Sequence, residues 1–293
     1  MNAQVWPKNI GFVGLGTMGG AVARRLASGP WTILVHDIVP AAVDRMIEHG
    51  AVGAPDSAGV FKGSQVVFTC LPTPELVEAF WTEHYGRLDQ GAIAVDLSTI
   101  DPATSRRVCD LVEGRTGASF VACTLGKTPA MAEAGEIPVF VGGNAAAVER
   151  LKPLLDHMAS VTYEMGSVEG ATMFKLISNL IGMTNLAVLA EGYLLARQAG
   201  IDSKTFAAAL RTTGGWSTQA DIRLAWMMEE DFKPRFAVDL AAKDLRLSVN
   251  AAAAWGVPTP VAAAGLSVFS LARAAGWGGK DAAAIIAPLK PRG

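Results

Sequence analysis

An apolar run starting at Ile10 leads straight into Gly14-Leu15-Gly16-Thr17-Met18-Gly19, and the residues after it have helical periodicity. Few sequence features narrow a fold as much. A strand, a glycine turn and a helix start, in that order, leave the first helical N–H groups free to meet an anion. Gly14 suits the tight turn, Gly16 keeps the space above it clear, and Gly19 lets the helix pack close on the strand. Asp37 ends the second apolar run, 21 residues past Gly16, where a carboxylate accepts the ribose hydroxyls of a dinucleotide. The bland alternative is an ordinary tight turn with an acid at a strand end; having strand, turn, helix and acid all in order disfavours it.

The first half continues in the same style. Ile10–Leu15, Ile33–His36, Val66–Cys70, Ile93–Val95 and Phe120–Val121 are compact apolar runs, with amphipathic segments at Met18–Ala27, Ala41–Glu48 and Pro102–Val112 between several of them. Two more short runs, Pro138–Val141 and Val161–Tyr163, flank a helix around Ala145–Asp156. Strand–helix alternation predicts a parallel sheet with helices on both faces. After about Gly166 the strand-like runs stop. Val168 to Gln198 reads as one helix of roughly 30 residues, about 45 Å long, too long for one small domain. Further helices break at Gly200, Gly214-Gly215, Lys233-Pro234 and Gly256-Val257-Pro258. The expected organisation is an α/β domain over 1–166 and an all-helical domain over 167–293.

Composition removes other classes. In 293 residues, 25 Lys+Arg face 27 Asp+Glu, so no basic excess exists to follow a phosphate backbone and no nucleic-acid partner is expected. The three cysteines, Cys70, Cys109 and Cys123, are scattered, and His36, His49, His84 and His157 are dispersed. That pattern fits a reducing compartment and predicts no metal site. The N-terminus lacks the order of a secretory signal. Lys175, Asn179, Asn185 and Glu191 interrupt the apolar stretch from Phe174 to Ala196, which reads as a buried helix and not a membrane span. A cytoplasmic protein is expected.

Four blocks then resemble one family: GFVGLGTMGG at 11–20, DLSTIDPATSRRV at 96–108, GATMFKLISN at 170–179 and AAKDLRLSVN at 241–250. In this order and spacing the sequence resembles the β-hydroxyacid dehydrogenases over nearly the whole chain. The resemblance implies a Rossmann domain of the 6-phosphogluconate dehydrogenase-like type, a long interdomain helix and an all-α C-terminal domain. It implies Lys175 as catalytic lysine, with Asn179 as its substrate-binding neighbour. Ser98 and Thr99 would line the nicotinamide and substrate cleft, Leu71 and Pro72 would contact the cofactor, and Lys243 would approach it from the helical domain. A homodimer or homotetramer is expected.

The chemistry supports these roles independently. Lys175 and Asn179 are four apart and share a helical face. Oxidising an alcohol removes its O–H proton while hydride leaves carbon. A lysine amine serves as that base when burial or nearby positive charge lowers its pKa from about 10.4, and its ammonium returns the proton in reduction. The bland readings are a snorkelling lysine, an interhelical asparagine, Ser98-Thr99 as helix entry, and Lys243-Asp244 as an exposed pair. Asp37 repels a 2′-phosphate and His36, Ile38 and Val39 bring no arginine, so NAD is preferred; Arg45 or Lys62 reaching round would admit NADP.

The substrate loop departs from the family. Where relatives have a stretch like DAPVSGG, this chain has Ala122-Cys123-Thr124-Leu125-Gly126-Lys127-Thr128, and Ser178 stands where many have asparagine. Gly126, Lys127 and Thr128 are the expected substrate-binding residues. The pattern is more similar to sulfolactaldehyde reductases, with Lys127 as a point charge for a carboxylate, sulfonate or phosphate. Trp216 and Phe236 read as core in preference to pocket wall. The expected activity is hydride transfer between a nicotinamide and a small 3-hydroxy acid or its semialdehyde. Reduction of another short anionic aldehyde, such as sulfolactaldehyde or succinic semialdehyde, is the close rival. Imine reductases share the fold but usually replace the lysine. A non-catalytic dinucleotide sensor would need neither Lys175 nor Asn179.

Overall fold

The computed structural model describes residues 6–291; the N-terminal signal reading falls partly, at residues 1–5, outside these. Two compact units divide the chain, 1–175 and 176–293.

The first unit is a sheet with helices on both faces. Its strands are β1 (Asn9–Val13), β2 (Thr32–His36), β3 (Val52–Gly53), β4 (Val66–Thr69), β5 (Ile93–Asp96), β6 (Ser119–Leu125), β7 (Ile137–Gly143) and β8 (Ala159–Glu164), in the order β3-β2-β1-β4-β5-β6-β7-β8. The helices are α1 (Thr17–Ala27), α2 (Pro40–Glu48), α3 (Pro74–His84), α4 (Pro102–Thr116), α5 (Pro129–Ala134), α6 (Ala145–Met158) and the start of α7 (Val168–Gln198). Each central strand is apolar on both sides because both sides are covered. Val66 and Phe68 of β4 and Ile93 and Val95 of β5 join one core, while Val67 and Ala94 join the other.

The sheet is not parallel throughout, which corrects the sequence reading: β6 and β7 pair antiparallel, with Val121 opposite Gly143 and Leu125 opposite Val139. A parallel return needs a crossover of a dozen or more residues, and residues 126–136 hold only the short α5. The long α6 then brings β8 back parallel to β7.

The second unit contains the remainder of α7 with α8 (Ser203–Arg211), α9 (Thr218–Glu229), α10 (Val238–Ala254), α11 (Pro260–Ala274) and a 3₁₀ segment, Ala282–Leu289. Asp202 and Ser217 cap α8 and α9 with their side-chain oxygens. Leu186, Ala190, Leu245, Phe269 and Ile285 are wholly buried in its core. Trp216 and Phe236 pack partly buried against that core.

Candidate active site

The glycine turn has the shape its residues suggest. Gly14 lies at φ 94°, and a Cβ there would meet the Cys70 carbonyl oxygen at 2.3 Å and Leu71 Cδ2 at 3.2 Å. A Cβ on Gly19 would meet the Gly14 carbonyl oxygen at 2.0 Å. At Gly16 an added Cβ meets nothing within 4 Å, and Gly16 caps α1 with no side-chain bond. The first N–H groups of α1 therefore face open space at the positive end of the helix dipole, which fits a pyrophosphate.

Asp37, at the end of β2, accepts the Leu15 N–H at 2.6 Å and the Val39 N–H at 2.8 Å. Its carboxylate is thereby fixed beside the turn, with lone pairs remaining for two hydroxyls. Ile38 is 92% exposed beside it. Arg45, exposed on α2, lines with Leu15, Gly16, Thr17 and Arg24 a cavity of about 380 Å³. Arg24 is already bonded to Glu133 at 2.9 Å.

A buried polar chain ties the ends of β4 and β5. The two strands pair in register with Thr69 opposite Asp96. Asp96 Oδ1 accepts the Thr69 and Ser98 hydroxyls, each at 2.7 Å. Ser98 Oγ accepts the Leu71 N–H at 2.8 Å, and Thr69 Oγ1 accepts Trp81 Nε1–H at 3.3 Å. Ser98 is 2% exposed, Thr99 is half-buried and Pro72 exposed. Helix entry belongs to Asp101, whose carboxylate accepts the Thr104 N–H at 2.9 Å, so Ser98 is not the cap.

In the turn after β6, Lys127 is exposed and lies at φ 59°, one of two described non-glycine residues with positive φ. An L-residue there costs about 1–2 kcal/mol. Its Nζ donates to the Glu136 carbonyl at 3.3 Å, back toward its own loop. Thr128 caps α5, accepting the Met131 N–H at 3.4 Å. Gly126 is held against Pro138, whose ring an added Cβ would meet at 2.6 Å.

On the helices, Lys175 and Asn179 stand one turn apart on α7, both half-buried, with Ser178 exposed between them. Asn179 Nδ2 donates to Asp244 Oδ2 at 2.6 Å, and Lys243 Nζ lies 3.1 Å from Asp244 Oδ1. The Lys243 and Asp244 side chains are 15% and 4% exposed, which overturns the exposed-pair reading. Ser248 Oγ donates to the carbonyls of Leu176 and Asp244, binding α10 to α7. Asp244 aims the Asn179 amide: one Nδ2–H is committed to it, leaving the second Nδ2–H as a donor and Oδ1 as an acceptor. Sequence reasoning missed Asp96, Thr69 and Asp244, although two of them sit inside blocks it singled out.

The glycine cradle, the Asp37 carboxylate fixed beside it and a doubly covered sheet are the features of an NAD(P)-binding oxidoreductase fold. The sequence family described as the NAD-binding domain of 6-phosphogluconate dehydrogenase matches residues 9–166, and that described as the NAD-binding of NADP-dependent 3-hydroxyisobutyrate dehydrogenase matches 169–289. The 2-(hydroxymethyl)glutarate dehydrogenase of Eubacterium barkeri is 30% identical over 94% of this chain and 93% of its own. The 3-sulfolactaldehyde reductase of Escherichia coli is 30% identical over 96% and 95%. The fold matches that of 3-hydroxyisobutyrate dehydrogenase of Mycobacterium tuberculosis at a TM-score of 0.90, with 24% identity over 97% of this chain and 99% of that one. The chain belongs to the β-hydroxyacid dehydrogenase family, NAD(P)-dependent oxidoreductases of small hydroxy acids and semialdehydes.

Proposed function

We propose that this enzyme interconverts a small 3-hydroxy acid and its semialdehyde, with Lys175 as general acid and base. The observation that carries the reading is the Asn179 amide, held by Asp244 one helical turn from Lys175. When bound, the nicotinamide takes or gives the hydride. In oxidation the Lys175 amine takes the hydroxyl proton as the carbonyl forms; in reduction its ammonium returns that proton to the developing alkoxide. The second Nδ2–H of Asn179 donates to the substrate hydroxyl or carbonyl oxygen and keeps it within reach of the lysine. Lys127, with Gly126 and Thr128, receives the anionic end.

Gly14, Leu15, Gly16, Thr17, Met18 and Gly19 would hold the pyrophosphate, Asp37 the ribose, and Leu71, Pro72, Thr99 and Lys243 the rest of the dinucleotide. Asp37 favours NAD, because a 2′-phosphate beside a fixed carboxylate is repelled; Arg45 is the residue through which NADP would be accommodated. A second reading, reduction of another short anionic aldehyde such as sulfolactaldehyde, draws on Lys127, which serves a sulfonate as well as a carboxylate. The proposal extends to a soluble cytoplasmic homodimer or homotetramer. Phe174, Ile177, Ile181, Val188 and Leu195 expose an apolar stripe along α7. That helix is long and apolar enough to cross a membrane, with 44% of its most apolar window buried. Light scattering of detergent-free protein tests this part.

NADH and NADPH oxidation is the deciding measurement, against methylmalonate, tartronate and succinic semialdehydes and sulfolactaldehyde. NADH-linked turnover of one of these is expected, with kcat falling about 10³-fold in Lys175→Ala while NADH affinity holds. Lys127→Ala should raise KM for the same aldehyde about 10-fold or more. Wild-type binding of NADH with no turnover across the panel would sink the reading.

A further inference from the structure

The reading above treats the turns after β4 and β5 as cofactor contacts, and the inference here rests on it. Both turns are anchored by one carboxylate. Asp96 is 1% exposed and its Oδ1 takes two short hydroxyl bonds, one from the opposite strand and one from two residues on. Such charge-assisted bonds between buried groups are strong and directional. Cys123, wholly buried on the neighbouring strand, has its thiol pushed up to about 12 by burial and the nearby Asp96 charge.

The Ser98 hydroxyl gives its single proton to Asp96 and takes the Leu71 N–H on a lone pair. Without its proton free it cannot donate to a substrate carboxylate. It acts as a bolt between two turns, and the turn it holds is the one that closes on the glycine cradle. Cys70 and Leu71 lie over Gly14 so tightly that an added Cβ would strike them.

We infer that Asp96, Ser98 and Thr69 are positioning residues that fix the Leu71-Pro72 and Thr99 turns against the nicotinamide half of the dinucleotide, and that Ser98 itself does not bind the substrate. The reach of the effect follows from geometry. Register puts Thr69 opposite Asp96 and next to Val13 of β1, the last residue before Gly14. Loosening the bolt therefore disturbs the nicotinamide end more than Asp37, which is fixed separately by Leu15 and Val39.

The test compares wild type with Ser98→Ala and with Thr69→Val, the second touching no ligand on any reading. NADH binding is followed by its own fluorescence and anisotropy, and ADP-ribose binding by displacement. Expected for Ser98→Ala are an NADH Kd about 10-fold weaker and lower nicotinamide anisotropy at saturation, with the ADP-ribose Kd within about 2-fold. Thr69→Val should shift the same pair of constants in the same direction by about 3-fold. With an aldehyde that is turned over, Ser98→Ala should lower kcat and leave the aldehyde KM within about 2-fold. A raised aldehyde KM with kcat and NADH signals unchanged would show Ser98 on the substrate and overturn the inference. So would a lowered melting temperature with no change in either dinucleotide constant, since that marks a purely structural bond. The NADH and ADP-ribose comparison needs no turnover, so it decides the inference even if the dehydrogenase reading fails.

Discussion

Among the described bonds, the buried carboxylates of the two units draw on different groups. In the sheet unit, Asp96 is held by neutral hydroxyls from Thr69 and Ser98. In the helical unit, Asp281 is 0% exposed and pairs with the Arg223 guanidinium at 3.1 Å, adding the N–H groups of Phe236 and Ala283. Asp244 likewise has Lys243 beside it. The difference follows from the backbone. Parallel strands in register bring short side chains at their ends face to face, so a hydroxyl on one strand reaches a carboxylate on the next. Helices consume their own N–H groups except in the first turn, and a carboxylate buried among them must draw on a long cationic side chain.

That contrast predicts a ranking of losses. Arg223→Leu should cost the most, about 3–5 kcal/mol, because it strands a buried charge; a fall of this size in urea or thermal unfolding checks it, and a near-neutral result would place Asp281 in the care of its two N–H donors alone. Thr69→Val should cost about 1–3 kcal/mol, since Asp96 loses a hydroxyl bond and Trp81 its acceptor while no cation is removed. Glu169→Gln comes last. Arg106 grips Glu169 through two bonds of 2.6 Å at the half-exposed start of α7, and this bond holds the Glu169 carboxyl down to about 2. A carboxyl lowered in the folded state stabilises at pH above its unfolded value, near 4.5, and loses that contribution as pH falls toward 2. With both side chains solvent-screened the effect should stay below about 1 kcal/mol at pH 7 and vanish near pH 2. Melting curves of both proteins across that range would show it.

The most legible parts of the molecule were those where one local rule suffices. The glycine turn needs only its own residues and Asp37, and the apolar pattern of α7 runs without a proline from Val168 to Gln198. β6 was harder: Phe120–Val121 stands out, yet the strand runs from Ser119 to Leu125, because Ala122, Cys123 and Thr124 owe their burial to the layers around them. α3 hides for a similar reason; its buried positions 74, 77, 81 and 84 are helical in spacing, but two of them are Pro and His. The site divides in the same way. Lys175 and Asn179 share a face by spacing alone, whereas Asp96 and Asp244 acquire their roles from strand register and from helix packing, neither of which is written in a local pattern. Asp244 beside Lys243 looks like surface until α7 lies against it.

The reversal at β7 has a consequence in time. β6 and β7 close through residues 126–136, while every consecutive parallel pair must close across a longer helical connection. Short loops lose the least entropy on closing, so contacts of low sequence separation register first. The hairpin-like corner around the Lys127 turn should thus form ahead of the glycine cradle, which awaits pairing of β1 with both β2 and β4. Pulsed hydrogen exchange during refolding should protect the amides of 121–125 before those of 10–13. The part of the chain proposed to choose the substrate should then take shape before the cofactor half of the sheet.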